Sequence, residues 1–257
     1  MHLHAAEYGS AASAPLLILH GFLGSADNWH TLARRFGETA HVLAPDARNH
    51  GRSPHSDEFS YAVMAHDVIE IISERRLARA ALLGHSMGGR TAMEVGLLRP
   101  DLVRALIIVD IAPRTYRPHH DEVLDALRSV DFSLAKERSQ VEEQLARSIA
   151  SPVVRQFLMK SLGRGEDGQF FWKMNLPVLE RSYPEILRGV SGPGVYEGPA
   201  LFIRGARSGY VTNDDLLPIQ DSFPRAQVVT LDCGHWVHAE QPELFARTVL
   251  EFLAKSP

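Results

Sequence analysis

The segment ALLGHSMGGRTAM, residues 81–93, is the strongest indication of a fold in this sequence. It contains the pattern G-x-S-x-G, residues 84–88, after a short apolar run and before a segment with helical periodicity. In that context, the glycines permit a tight strand-to-helix turn that lifts the central serine above the edge of a sheet. The first amides of the following helix can hold negative charge there. Ser86 is therefore our candidate nucleophile; the alternatives are a chance serine in a glycine-rich turn and a phosphate-binding turn.

Short apolar runs recur on both sides of this turn, with helical segments between them. Continuously apolar runs are typical of parallel strands that are buried on both faces. Six are present, at residues 16–20, 41–45, 80–84, 105–110, 200–204 and 227–231. Periodic segments at 61–76 and 87–100 alternate with them, and a proline closes the second. The sequence predicts an α/β fold with a doubly wound, mostly parallel sheet, whose ligands bind at the carboxyl ends of the strands.

The alternation of strands and helices breaks between residues 113 and 199. Amphipathic segments such as DEVLDALRSV and VEEQLARSIA occur there, and the Gly/Pro-rich stretch at 189–200 is typical of a linker. We interpret 113–199 as a helical lid inserted into a core of residues 1–112 and 200–257, because long insertions in compact folds usually serve function. The alternative is a set of extra helices packed on one sheet edge. Trp172 in the insertion is a candidate to line a pocket; the alternative is that it packs the lid.

Composition narrows the classes of function. The chain has 257 residues, a net charge of −4 and a pI near 6.3, which gives no electrostatic reason to expect nucleic acid or an anionic membrane. A single cysteine, Cys233, excludes an intrachain disulfide and fits a reducing compartment. We find neither a signal peptide nor an apolar stretch near the roughly 18 residues of a membrane span. The sequence predicts a soluble, cytoplasmic protein.

A serine nucleophile needs a general base, and the best candidate follows the last strand. In the segment LDCGHWVHAEQPELF, His235 comes after the run at 227–231 and before a helix that begins near Pro242. His238 is the competitor, and we expect it to pack or to cap that helix. Trp236 is a second candidate to line the pocket. The HxxH spacing lacks the carboxylates or cysteines that would complete a metal site, so we predict no metal.

The negative charge that forms during attack on a carbonyl needs hydrogen-bond donors. His20 and Gly21 end the first core strand and open a loop. A backbone N–H in that loop, at Phe22, can pair with the N–H of Met87 to form an oxyanion hole. An isolated His-Gly pair is common, and its position before a helix and upstream of Ser86 supports this interpretation.

These residues resemble those of the α/β-hydrolase superfamily over essentially the whole chain. Five blocks are similar, in order, to segments of one esterase family within it, the bacterial YbfF-type esterases and their mitochondrial ABHD-eleven-like relatives. The blocks are HGFLGSADNW (20–29), DARNHGRSPHS (46–56), GHSMGGRTAM (84–93), VDIAPRTY (109–116) and GHWVHAEQP (234–242). Five blocks in order are more specific than the serine turn alone.

The triad acid is the one residue that does not stand where most α/β-hydrolases have it. That position follows the strand at 200–204, and here it holds Ser208. Asp214 and Asp215 lie further along and look like the first turn of a helix. Asp110 ends the strand after the one that carries Ser86, so it emerges at the same sheet edge. The resemblance implies an acid from this earlier strand, and we predict Asp110, with Asp214 as the alternative.

The resemblance implies a serine carboxylesterase that hydrolyses small to medium acyl esters through an acyl-enzyme, with acyl thioesters as a further option and no cofactor. The menaquinone-pathway synthase that eliminates pyruvate has similar HGFLGS and SMGGR segments, but takes its acid from the later turn. An alternative that is not an enzyme is a receptor with this fold, which binds a ligand without turning it over. We expect His50 and Arg52 to be structural loop residues. The physiological substrate and the oligomeric state cannot be read from the sequence.

Overall fold

A seven-stranded sheet forms the centre of the protein in a computed structural model that describes residues 1–192 and 194–256. The strand order is β1-β3-β2-β4-β5-β8-β9, in which β1 pairs antiparallel with β3 and every other neighbour is parallel. Pro193, in the predicted linker, and Pro257, at the end of the predicted core, lie outside the described residues. The predicted doubly wound, mostly parallel sheet is confirmed.

Within the described part of the chain, the strands are β1 (Ala5–Tyr8), β2 (Pro15–Leu19), β3 (His41–Pro45), β4 (Ala80–His85), β5 (Val103–Val109), β6 (Leu162–Arg164), β7 (Phe170–Trp172), β8 (Ala200–Gly205) and β9 (Ala226–Leu231). The α-helices are α1 (His30–Phe36), α2 (Tyr61–Glu74), α3 (Met87–Leu98), α4 (Asp121–Arg128), α5 (Arg138–Ala146), α6 (Pro152–Met159), α7 (Leu176–Arg181), α8 (Tyr183–Leu187), α9 (Leu216–Ser222), α10 (Val237–Glu240) and α11 (Pro242–Lys255).

The central strands are buried on both faces, which explains their unbroken apolar runs. Successive side chains of a strand point to opposite faces of the sheet. Accordingly, Leu82 packs into the core on one face, together with Leu17 and Leu106, whereas Leu83 packs into the core on the other. All six apolar runs predicted as strands are strands, within two residues at each end.

The sequence did not predict β1. Its four residues, AAEY, include one exposed and three partly buried positions, so no buried run marks it. The strand lies at the sheet edge and is held by its antiparallel ladder to β3, from Ala5 opposite Pro45 to Tyr8 opposite Val42. A short edge strand of this kind depends on its neighbour more than on its own sequence.

Between β5 and β8, the chain leaves the sheet and forms helices α4 to α8 together with an antiparallel hairpin of β6 and β7. These elements share an apolar cluster with Phe22 and Met87. The buried guanidinium of Arg90, on α3, donates to Ile186 O at 2.8 Å and also to Arg114 O. This one side chain of α3 therefore contacts the insertion near its beginning and near its end.

No helix among the described residues is long and apolar enough to cross a membrane.

Candidate active site

Ser86 occupies a strained turn between β4 and α3. Its backbone has φ 51° and ψ −114°, a left-handed conformation that a non-glycine residue rarely adopts. A Cβ atom at Gly84 would lie 2.2 Å from the carbonyl oxygen of Gly88, and a Cβ at Gly88 would lie 2.2 Å from that of Leu19. The two glycines of the G-x-S-x-G pattern are therefore required by close backbone approach.

Asp110 follows β5 and meets His235 at the carboxyl edge of the sheet. Asp110 Oδ2 lies 2.8 Å from His235 Nδ1, and its side chain is fully buried. The other oxygen, Oδ1, accepts the backbone N–H of Gly205 at 2.9 Å. The structure thus brings together two of the residues that the sequence singled out, from positions 125 residues apart.

Ser208 is in the turn after β8, and its hydroxyl donates a hydrogen bond to Asp110 Oδ2. The residue at the usual position of the acid therefore contacts the carboxylate that the earlier strand supplies. Its Oγ also accepts the N–H of Tyr210 at 3.2 Å. In the sequence, Ser208 is notable only because it stands where most α/β-hydrolases have the acid, so this contact was not predicted.

The carboxylates of the later segment, Asp214 and Asp215, lie apart from His235. Asp214 is exposed at the start of the segment that leads into α9. Asp215 pairs with Arg114 at 2.6 Å and accepts the N–H of Thr212 at 2.8 Å. Neither has a hydrogen bond to His235 among the residues that the structure describes.

The pKa values of the Asp110–His235 pair are governed by burial. Burial, with a smaller contribution from the nearby His119, lowers the pKa of His235 to about 3. Burial raises the pKa of Asp110 to about 6, against the hydrogen bonds from Ser208 and Gly205, which lower it. At neutral pH, Asp110 is then ionised and the neutral imidazole carries its proton on Nδ1, where Asp110 accepts it. The lone pair of His235 is left on Nε2.

Two cavities meet at Ser86. One is lined by Ser86, His235, Phe157 and Trp236 among others. The second is lined by Ser86, Met87, Arg90 and several tyrosines, including Tyr210. Phe22 and His120 border both cavities. Between the described side chains there is no direct hydrogen bond from Ser86 Oγ to His235, although both side chains line the first cavity.

Tyr210 is a residue of this site that sequence reasoning missed. Its ring stacks on the His235 imidazole with 3.8 Å between centroids and 16° between planes. Its hydroxyl makes a hydrogen bond with His119, and its carbonyl accepts the hydroxyl of Tyr116. No motif in the sequence signals this contact, since it joins residues from distant segments.

The two predicted oxyanion donors border the same space. Met87 is the first residue of α3, and Phe22 lies in the loop after β2. Neither backbone N–H has an acceptor among the hydrogen bonds of residues 1–192 and 194–256. Two backbone donors without protein acceptors, beside a serine in a cavity, fit an anion that forms during a reaction.

The two tryptophans named as pocket candidates have different surroundings. Trp236 lines the first cavity and packs on Phe157 with 4.2 Å between ring centroids. Trp172 instead donates from Nε1 to Leu127 O at 3.1 Å and packs edge-on against Phe132. Trp172 is not among the residues that line either cavity at Ser86, and its contacts fit the alternative that it packs within the insertion.

His238 is buried and stacks on Trp29 with 4.3 Å between ring centroids, as expected of a packing residue. In the part of the chain that the structure describes, no three His, Cys, Asp or Glu side chains lie together in a way that could hold a metal ion.

The sheet order, the serine turn and the Asp110–His235 contact are the features of an α/β hydrolase. The sequence profile of the family described as "alpha/beta hydrolase fold" matches residues 14–242. The chain belongs to this family.

Relatives over nearly the whole length include esterases and lipases. The chain is 37% identical over 246 residues to "Esterase YbfF" of Escherichia coli (strain K12), covering 94% of this chain and 93% of that protein. It is 36% identical over 254 residues to "sn-1-specific diacylglycerol lipase ABHD11" of Danio rerio, covering 95% of this chain and 80% of that one. The solved structure "Marine microorganism esterase" superposes with a TM-score of 0.94 at 41% identity, covering 97% of this chain and 98% of that one. The resemblance to YbfF-type and ABHD-eleven-like esterases is confirmed.

Proposed function

We propose that this protein is a serine carboxylesterase that hydrolyses small to medium acyl esters through an acyl-enzyme. The observation that carries the proposal is the 2.8 Å contact between Asp110 and His235, with His235 and the strained Ser86 in the wall of one cavity. The esterases and lipases among the relatives support the reaction class.

In the proposed mechanism, His235 Nε2 takes the proton of the Ser86 hydroxyl as its oxygen attacks the ester carbonyl. The amides of Phe22 and Met87 bind the oxyanion, and Asp110 stabilises the imidazolium that forms. His235 then gives its proton to the leaving alcohol, and the acyl group stays on Ser86. Water, activated by the same imidazole, attacks the acyl-enzyme and releases the acid. A thioester would react by the same steps, and no step calls for a cofactor.

Ser208 and Gly205 are proposed as positioning residues for the acid. Together with His235, they supply three donors to the two oxygens of Asp110, so the carboxylate is fixed in one orientation. A synthase that takes its acid from the later turn would need a carboxylate where Ser208 stands.

We propose that residues 113–199 form the lid of this site. His120, Val123, Val154 and Phe157, all from the insertion, line the first cavity above Ser86. The cavity wall that the insertion supplies is mostly apolar, which favours an acyl chain over a charged group. The lipase name of one group of relatives extends the range to be tested toward acylglycerols.

The test is hydrolysis of p-nitrophenyl esters with acyl chains of two to sixteen carbons, and of a diacylglycerol, with Ser86→Ala as the blank. Turnover that depends on Ser86 and prefers one chain length is the expected result. Equal turnover by Ser86→Ala, or none by the wild type on any ester, would overturn the proposal. Tight binding of an ester without turnover would favour a receptor on the same fold.

A further inference from the structure

The loop that carries the proposed oxyanion donor Phe22 contains a strained residue. Gly24 N–H bonds to Gly21 O at 3.0 Å and closes a tight turn over residues 21–24. Within this turn, Leu23 has φ +64°, in the left-handed region that disfavours residues with a Cβ atom. Leu23 directly follows Phe22, so contacts that hold the backbone of Leu23 also restrict the backbone of Phe22, which carries the proposed donor N–H.

His50 holds the amide side of Leu23. Its Nε2 accepts the Leu23 N–H at 3.2 Å, and its Nδ1 donates to Arg48 O at 2.9 Å. The ring is fully buried, and burial, with a smaller contribution from the neighbouring His20, lowers its pKa to about 3. The imidazole is therefore neutral, and its two hydrogen bonds leave it a single tautomer.

Ser161 holds the carbonyl side of Leu23 from within the insertion. Its hydroxyl donates to Leu23 O at 2.9 Å, and the residue is fully buried. Its own backbone is fixed by the N–H of Lys173, which bonds to Ser161 O at 2.8 Å, and by its bond to Leu158 O at 2.9 Å. Both polar backbone groups of Leu23 thus have buried side-chain partners, one from the loop after β3 and one from the insertion.

We propose that His50 and Ser161 are positioning residues for the oxyanion-binding amide of Phe22, and that Ser161 makes docking of the insertion a condition for a complete oxyanion hole. Neither residue touches the substrate; each acts through Leu23. The inference rests on the proposed function, since it requires that Phe22 N–H bind an oxyanion.

The experiment compares His50→Leu and Ser161→Ala with the wild type on one p-nitrophenyl ester. A displaced oxyanion donor stabilises the transition state less, but it leaves the binding of the substrate in the ground state unchanged. We expect kcat to fall about 10- to 100-fold in each variant, with KM within about threefold of wild type. A trifluoromethyl ketone of the same chain length, whose tetrahedral adduct occupies the oxyanion hole, should lose affinity by the same factor as kcat. The matching methyl ketone, which binds without forming a stable adduct, should not.

Two further variants separate positioning from general packing. His50→Gln, which restores an acceptor, should recover part of the lost kcat. Ser256→Ala is the matched control, since Ser256 is also buried and donates to a carbonyl, Phe252 O at 2.9 Å, outside both cavities at Ser86. If His50→Leu does not fold, Ser161→Ala carries the test alone.

The proposal is overturned if kcat in Ser161→Ala matches that in Ser256→Ala, or if both ketones lose affinity equally. The failure of the proposed function is a different result, namely wild-type turnover that persists in Ser86→Ala.

Discussion

Replacing Asp110 by asparagine tests the proposed triad without changing the shape of the side chain. The Asn carbonyl oxygen can still accept the N–H of Gly205, which lies 2.9 Å from Oδ1. The NH₂ group then faces His235 Nδ1, 2.8 Å away, and can only donate to it. The neutral imidazole must then carry its proton on Nε2, so its lone pair lies on Nδ1 and is not available to Ser86.

We expect kcat to fall about 10⁴-fold, as when a triad acid is replaced by its amide, which corresponds to about 5.5 kcal/mol of transition-state stabilisation. KM should change little, because Asp110 lines neither cavity at Ser86. The assay is steady-state hydrolysis of a p-nitrophenyl ester, with the burst of p-nitrophenol used to count active sites. Asp214→Asn is the matched control, since Asp214 is exposed and bonds to no triad residue. If Asp110→Asn kept kcat within tenfold, or if Asp214→Asn lost as much, the assignment of the acid would be refuted.

Three further predictions concern the same site. Because burial raises the pKa of Asp110 to about 6, kcat/KM should fall as pH drops through about 6, and this limb should be absent from the pH profile of Asp110→Asn; a profile flat from pH 5 to 8 would contradict it. Ser208→Ala removes one hydrogen bond to the carboxylate, so kcat should fall about tenfold, and Ser256→Ala should leave it unchanged; equal kcat values in the two variants would contradict the positioning role. Trp236→Ala should shift the preferred ester toward longer acyl chains. Trp172→Ala should lower the melting temperature and leave the chain-length preference unchanged. A shift of the preference in Trp172→Ala would instead indicate that Trp172 lines the pocket.

The fold was predictable because its signals are local. Apolar runs such as that of β4 reflect burial on both faces, and the glycines around Ser86 reflect contacts within a few residues or with the adjacent strand. The edge strand β1 and the hairpin of β6 and β7 were missed, since short strands are fixed by pairing partners rather than by their own residues.

The candidate site was predictable only in part, for a related reason. Ser86 and His235 follow from a motif and from chain order, whereas Asp110 was chosen with the help of family resemblance. The contacts of Ser208 with Asp110 and of Tyr210 with His235 join segments that are far apart in the chain. For Trp172 the sequence leaves two placements open, because an aromatic residue does not reveal whether it faces a pocket or its own helices.

The buried carboxylate of Asp110 also has a consequence for stability. Among the described residues, no lysine or arginine forms an ion pair with Asp110, and its hydrogen bonds come from neutral donors. The charge of Arg204 lowers the pKa of Asp110, but by less than burial raises it. The folded protein binds the proton of Asp110 more tightly than the unfolded chain does, with a pKa of about 6 against 3.8. The free energy of unfolding therefore declines as pH rises from 3.8 to about 6, by about 3 kcal/mol from this group, and stays lower above that range.

Proton transfer to His235 supplies the missing positive charge next to Asp110, so the pair approaches neutrality only while the reaction proceeds. At neutral pH, Asp110→Asn should accordingly melt at a higher temperature than the active protein. The charge of Asp110 would then destabilise the resting protein, and the imidazolium that forms during the reaction would remove that destabilisation.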